Sequence, residues 1–187
     1  MRRRTLLIGG GVALAAAGAG LWWQRRHLFL EPAREAGSLA DDWLADARAD
    51  RIELHKAERR LALLSGGETL LACPIALGFA PLGHKQQEGD GRTPEGRYAI
   101  DFKNDRSRFF LSIRIDYPNA ADRARAKAAG VPPGGDIMIH GQPNWLDTGP
   151  DAVLPGDWTL GCAAVSNGAM ARIFQAVPLG CAVEIFA

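Results

Sequence analysis

The 187-residue chain has little that would staple it together or draw it to a polyanion. Three cysteines are too few for a disulfide scaffold, and the odd count leaves at least one thiol unpaired within the chain. In an oxidising compartment such a thiol needs a chemical reason to exist. Charge of either sign is not in excess: 22 Lys and Arg stand against 21 Asp and Glu, a net +1, so nothing points to nucleic acid or to an acidic partner. The four histidines are scattered without metal-ligand spacing, so neither a metal nor another cofactor is expected. Internal repeats are absent, and no low-complexity tract follows the N-terminal region. What the chain holds in quantity is glycine, 22 residues, and proline, 11, which imply many turns and argue against an all-helical fold. Apolar residues at 47% and charged residues at 23% are ordinary for one globular domain.

One long hydrophobic run is present, from Thr5 to Trp23, preceded by Arg2-Arg3-Arg4 and followed by Arg25-Arg26. It is long enough to cross a bilayer as a helix. It also has the basic start, apolar centre and small residues near Ala15 to Ala19 of a signal peptide. Arg3-Arg4-Thr5-Leu6-Leu7 loosely resembles a twin-arginine export signal. Both readings, uncleaved anchor and cleaved signal, put the remainder beyond the cytoplasmic membrane, in the periplasm or cell envelope. The expected organisation is therefore residues 1–26 as signal or anchor, 27–50 as linker and short helix capped by Ser38, and 51–187 as a catalytic domain working as a monomer.

Along that domain, Arg51–His55, Arg60–Leu64 and Thr69–Leu77 read as strands, with Ser65-Gly66-Gly67 as a hairpin turn and Pro74 at an edge or bulge. Gly78–Thr93 reads as a loop, and Tyr98–Phe102 and Arg108–Asp116 as strands. Ala120–Ala129 reads as a helix ended by Gly130 and Pro132. Ile137-Met138-Ile139 is a short buried strand running into His140, and Gly141–Asp157 is a long loop. Asn167 can cap a helix to Ala176, and Ala182–Phe186 alternates as a last strand. The sum is a mainly β fold (β-rich α+β), with antiparallel sheets or a sandwich and two or three short helices.

Two positions invite a chemical reading. His140 ends a buried strand and precedes Gly141, and Cys162 follows Gly161, whose small size lets substrate approach the backbone. A thiol is nucleophilic only as thiolate, and a neighbouring histidine can take its proton. The residues alone fit a small buried cysteine and a core histidine more readily. Cys73 and Cys181 fall in strands, where buried free thiols or a disulfide between them both fit. His55 should face outward and His84 should be solvated. Trp145 and Trp158 flank the site loop and suit either a groove or the core, Trp158 more readily the core.

The order of motifs goes further. His140-Gly141, a loop, and then Thr159-Leu160-Gly161-Cys162 resemble the active-site motif of the L,D-transpeptidase catalytic (YkuD) domain family. GDGRTPEGRY (Gly89 to Tyr98) resembles its G-x-x-x-T-P-x-G-x-[YF] segment, and LALLSGGETLLACPIALG its opening hairpin. PGGDIMIHG and GDWTLGCAAVSN are similar to a branch carrying D-W-T-x-G-C. The resemblance spans roughly Arg51 to Ala187. It implies peptidoglycan stem peptides as substrate, Cys162 as nucleophile, His140 as base and Gly141 as orienter of His140 through its carbonyl. It further implies Thr159 in the site and amides near Gly161 and Cys162 for the oxyanion, while Arg92, Thr93, Trp145 and Trp158 are the candidates to face substrate. Arg92 and Thr93 also suit a rigid turn. The chain departs from many members in having Leu160 where they carry a second histidine and Ala164 where they carry arginine. That leaves open whether an amine (transfer) or water (hydrolysis, as an endopeptidase, carboxypeptidase or amidase) resolves the thioester, and whether Arg92 or Arg114 grips a carboxylate instead. A wall-binding module without catalysis is a third reading. A papain-like protease is disfavoured because its cysteine precedes its histidine.

Overall fold

The computed structural model describes residues 47–187; the signal or anchor segment, the linker and most of the Ser38-capped helix lie outside the described residues. The described chain opens with a meander, β1 (Arg51–His55), β2 (Arg60–Ser65) and β3 (Glu68–Pro74). Gly66 and Gly67 both have positive φ, 58° and 88°, which the two-residue turn between β2 and β3 requires at both central positions. β1 alternates because one face is covered: Ile52 and Leu54 are fully buried while Arg51, Glu53 and His55 are half-exposed. Each such aliphatic side chain contributes about 1.5–3 kcal/mol on leaving water.

The later strands are β4 (Gly96–Ser107), β5 (Phe110–Ile115), β6 (Met138–His140), β7 (Ala163–Ala164) and β8 (Ala182–Phe186). They join the meander in the order β3-β2-β1-β8-β4-β5-β6-β7. Pairing is antiparallel except for β1 with β8 and β6 with β7, which are parallel. β4 is the pivot: Gly96–Ala99 pair with β8 and Ile100–Ser107 with β5, interrupted by bulges. Bulges bend and twist a strand, so one long strand serves both parts of a curled sheet. The curl brings the two edges together, where Ala76 and Ala164 exchange two backbone hydrogen bonds of 2.8 Å.

Two helices are described. α1 (Ala120–Ala129) starts on a capping box, with the Asn119 side chain accepting from the Asp122 amide and Asp122 returning a bond to the Asn119 amide, and it stops at left-handed Gly130. α2 (Asn167–Ala176) lays Ala169, Met170, Ile173 and Ala176 into the core against β5. The core continues through Ile100, Ile113, Ile139 and Val183.

Several boundaries differ from the expectation, four of them for a clear physical reason. β4 runs on to Ser107 because its polar end (Lys103 to Ser107) is a half-exposed hairpin arm, where apolar alternation is not needed. Accordingly β5 begins at Phe110, with Arg108 and Phe109 in the hairpin turn. β3 ends at Pro74, which cannot donate to a ladder, and Ile75–Leu77 cross toward β7 instead. The cap of α2 is Ser166, whose hydroxyl accepts from the Ala169 amide; Asn167 is already helical.

Candidate active site

Parallel pairing of β6 with β7 sets Ile139 beside Ala163 and His140 beside Ala164. One step back along both strands, Cys162 therefore falls next to Met138, whose amide donates to Cys162 Sγ at 3.4 Å. The thiol in turn donates toward the Asp136 carbonyl, 3.6 Å away. Histidine and cysteine thus stand on adjacent strands and line one cavity of about 410 Å³, at the small end of the range for ligand pockets. Phe109, Trp158 and Met138 make much of its wall apolar.

His140 is almost wholly buried. Its ring lies tilted against Phe109, 4.6 Å between centroids, and meets Trp158 edge-on at 5.8 Å. Nδ1 lies 2.7 Å from the Gly141 carbonyl. A carbonyl can only accept, so Nδ1 carries the proton and Nε2 keeps its lone pair. Burial pulls the His140 pKa below its ordinary value, against the opposing pull of the Gly141 hydrogen bond. Burial also pushes the Cys162 thiol up, with the Asp136 carboxylate adding to the rise and the Met138 amide and Lys85 ammonium opposing it. Both shifts run toward the uncharged forms, a neutral thiol beside a neutral imidazole.

The turn carrying Cys162 is tied from inside. Thr159 Oγ1 donates to the Cys162 carbonyl at 2.7 Å and accepts from the Gly161 amide at 3.1 Å. The Gly161 N–H, expected as an oxyanion donor, is therefore already engaged. Gly161 itself has φ +127°, and a side chain there would meet the Arg92 carbonyl at 2.6 Å. A Cβ on Gly141 would lie 2.6 Å from Asn167 Oδ1.

Of the expected residues, Cys162, His140, Thr159 and Trp158 line the cavity, with Gly141 and Gly161 framing it. Trp158, for which groove and core both fitted, forms cavity wall, with its indole Nε1 buried and without a hydrogen-bond partner. Trp145 stands outside, largely exposed, edge-on to Phe109 at 5.5 Å. Arg92 and Thr93 are behind the Cys162 turn: the Arg92 carbonyl fills the space a side chain on Gly161 would need, and the backbone carbonyl of fully buried Thr93 accepts from Lys56 Nζ at 3.2 Å. Arg114 is outside the lining, paired with Asp101 at 2.8 Å and beside Asp136 at 3.6 Å.

His84 is not solvated. Its Nδ1 accepts from the Glu95 amide at 3.0 Å and its Nε2 meets Asp122 at 3.1 Å. His55 faces outward far enough to stack on Phe186 at 4.8 Å. Cys73 and Cys181 are free thiols, pushed by burial up to about 12 and about 11. No metal-holding cluster and no membrane-length apolar helix occurs among the described residues.

Sequence reasoning missed several supports. Gln142, fully buried, accepts from the Leu154 amide and donates to the Val165 carbonyl at 2.6 Å, while its own amide donates to Asn167 Oδ1. Asp157 accepts from both Arg59 and the Leu77 amide. Lys85, buried near the thiol, holds Asp90 at 2.8 Å. Arg108 and Phe109 come from the β4–β5 turn, which carries no motif. A fully buried glutamine has no sequence signal of its own, because its partners are backbone groups far along the chain.

The L,D-transpeptidase catalytic domain model matches residues 49–185. YafK of Escherichia coli K12, whose own name marks its L,D-transpeptidase activity as unproven, is 35% identical over 133 residues, which cover 67% of this chain and 46% of YafK. The chain thus spans about half the length of the curated relatives it matches. Among solved structures, the helical cell shape determining protein Pgp2 from Campylobacter jejuni shares the fold at TM-score 0.58 and 24% identity, covering 78% of this chain and 54% of that one. Bd1075 of Bdellovibrio bacteriovorus does so at TM-score 0.52 and 21% identity, covering 75% and 48%. At these identities the likeness is one of fold.

Proposed function

The chain belongs to the L,D-transpeptidase catalytic domain family, and from that premise we propose that it cleaves peptidoglycan stem peptides through a Cys162 thioester with His140 as base. The observation that carries this reading is the His140 Nδ1–H bond to the Gly141 carbonyl. It leaves Nε2 as an unprotonated base in the cavity that Cys162 shares. Cys162 Sγ attacks the carbonyl carbon following the diamino acid residue as Nε2 takes the thiol proton. The oxyanion is met by backbone amides, with the Cys162 N–H taking the part for which the engaged Gly161 N–H is unavailable. Collapse breaks the C–N bond, and His140 returns the proton to the leaving amine. An incoming amine or water, deprotonated by His140, then attacks the thioester and releases the thiol.

Hydrolysis is the second reading, and the lining favours it alongside transfer. Ala164, where many relatives carry arginine, is fully buried between His140 and Ala76, and Leu160 is exposed beside the nucleophile. Neither position 160 nor 164 offers an acceptor peptide a polar side chain, and a loosely held amine loses its proximity advantage over water. The D-W-T-x-G-C pattern assigns the chain to that branch of the family, with Asp157 serving as a latch on Arg59. The enzyme works outside the cytoplasmic membrane in cell-wall remodelling, brought there by residues 1–26 as anchor or signal, by the twin-arginine route in the latter case.

Cys162→Ala tests the mechanism. Turnover of a disaccharide tetrapeptide should fall roughly a thousandfold or more, with an unchanged far-ultraviolet circular dichroism spectrum. A Cys162→Ala protein that still worked at wild-type rate would end this reading. Product analysis of the wild type, dimer against shortened monomer, separates transfer from hydrolysis.

A further inference from the structure

Arg51, Arg59, Arg97, Arg114 and Arg125 are each held by an acid. Arg108 is not: no acid of the described residues pairs with it, and it lines the cavity of Cys162 and His140. Its guanidinium lies over the Trp145 ring at 5.7 Å. A cation over a ring spends no N–H group on an acceptor, so the donors of the fork stay available. A planar fork of free donors on an aromatic platform is suited to a carboxylate taken two-pronged.

Where the carboxylate sits follows from the neighbouring residue. Phe109, next in the chain, packs on His140, the group that hands a proton to the leaving amine in the proposed mechanism. Arg108 is thereby on the leaving-group side of the scissile bond. A leaving group one residue long carries its carboxylate only about 3.5 Å beyond the scissile bond, short enough to stay within the cavity that Arg108 lines. The hairpin turn itself is anchored, with the Asn144 amide donating to the Arg108 carbonyl at 3.0 Å and Asn144 Oδ1 accepting from the Phe110 amide.

Resting on the cysteine mechanism above, we propose that Arg108, stacked on Trp145, is the specificity residue that binds the C-terminal carboxylate of a stem peptide ending one residue beyond the scissile bond. The test compares a disaccharide tetrapeptide bearing a free C-terminal carboxylate with the same compound as its carboxamide. Wild type should favour the free acid in kcat/KM by about tenfold or more, mostly through KM, a factor in keeping with one charge-assisted contact. Arg108→Gln should erase that preference by lowering kcat/KM for the free acid to the level of the carboxamide, while Arg108→Lys should restore part of it. Arg106→Gln, an exposed neighbour outside the cavity, should behave as wild type. Calorimetric binding of both compounds to Cys162→Ala protein, with and without Arg108→Gln, reads the same preference without chemistry. Equal binding of acid and carboxamide, no binding of either, or a preference that survives Arg108→Gln overturns the inference. Persistent turnover by Cys162→Ala would instead sink the nucleophile assignment, so the two failures are told apart.

Discussion

In the half of the sheet made by β1, β2, β3 and β8, cohesion is spread over many interchangeable aliphatic side chains such as Ile52, Leu54, Leu61 and Val183. In the half that carries Cys162 and His140, two short strands and two long loops are held by a few buried or half-buried polar side chains, each with more than one partner. Lys56 ties Gly83, Thr93 and Glu95, Gln142 ties Leu154 and Val165, and Asp157 ties Arg59 and Leu77. Apolar burial is non-directional, so it can support a strand while leaving side-chain angles free. Hydrogen bonds are directional, and a site needs its groups held to within fractions of an ångström. The contrast is one of scaffold against positioning, and three perturbations test it.

The largest effect on stability should come from the scaffold. Leu54→Ala empties a fully buried position and should cost about 2–5 kcal/mol, read by denaturant titration. Turnover per folded molecule should stay at wild-type level. A matching loss of kcat in the folded fraction would dissolve the distinction between the halves.

A smaller cost, about 1–3 kcal/mol, is expected for Gln142→Leu, which strands the Leu154 amide and the Val165 carbonyl. Here the balance reverses. Val165 donates to the His140 carbonyl and follows Ala164 in β7, so loosening it should lower kcat by more than the unfolded fraction explains. Amide exchange across residues 141–157 should rise while the meander stays protected. Uniform loss of protection across both halves would count against the latch.

The subtlest expectation concerns pH. Because burial lowers the His140 pKa, the free imidazole base survives to more acidic pH than an exposed histidine allows, and the acid limb of kcat/KM should fall below the ordinary 6.5. Because burial raises the Cys162 thiol, its alkylation by iodoacetamide, followed by mass spectrometry, should rise with pH at a midpoint above the ordinary 9.0. A midpoint well below that value would mean a resting thiolate–imidazolium pair and a different starting state.

The line between what was readable in advance and what was not follows the range of the interactions. Local patterns determined the strands around Ile52 and Leu54, the span and left-handed end of α1, the turn at Gly66-Gly67, and the ordered pairing of His140-Gly141 with Thr159-x-Gly161-Cys162. These rest on alternation, capping and backbone sterics among residues close in the chain. Only the folded chain decided that β4 continues to Ser107 and bends between two partners, that Trp158 forms cavity wall and Trp145 stands outside it, and that His84 is locked between Glu95 and Asp122. It also decided that Arg108, and neither Arg92 nor Arg114, comes to the cavity of Cys162. The physical reason is register: the pairing of Ser112 with His140 and of His140 with Ala164 joins segments far apart in the chain, and a slip of one residue would turn every side chain to the other face.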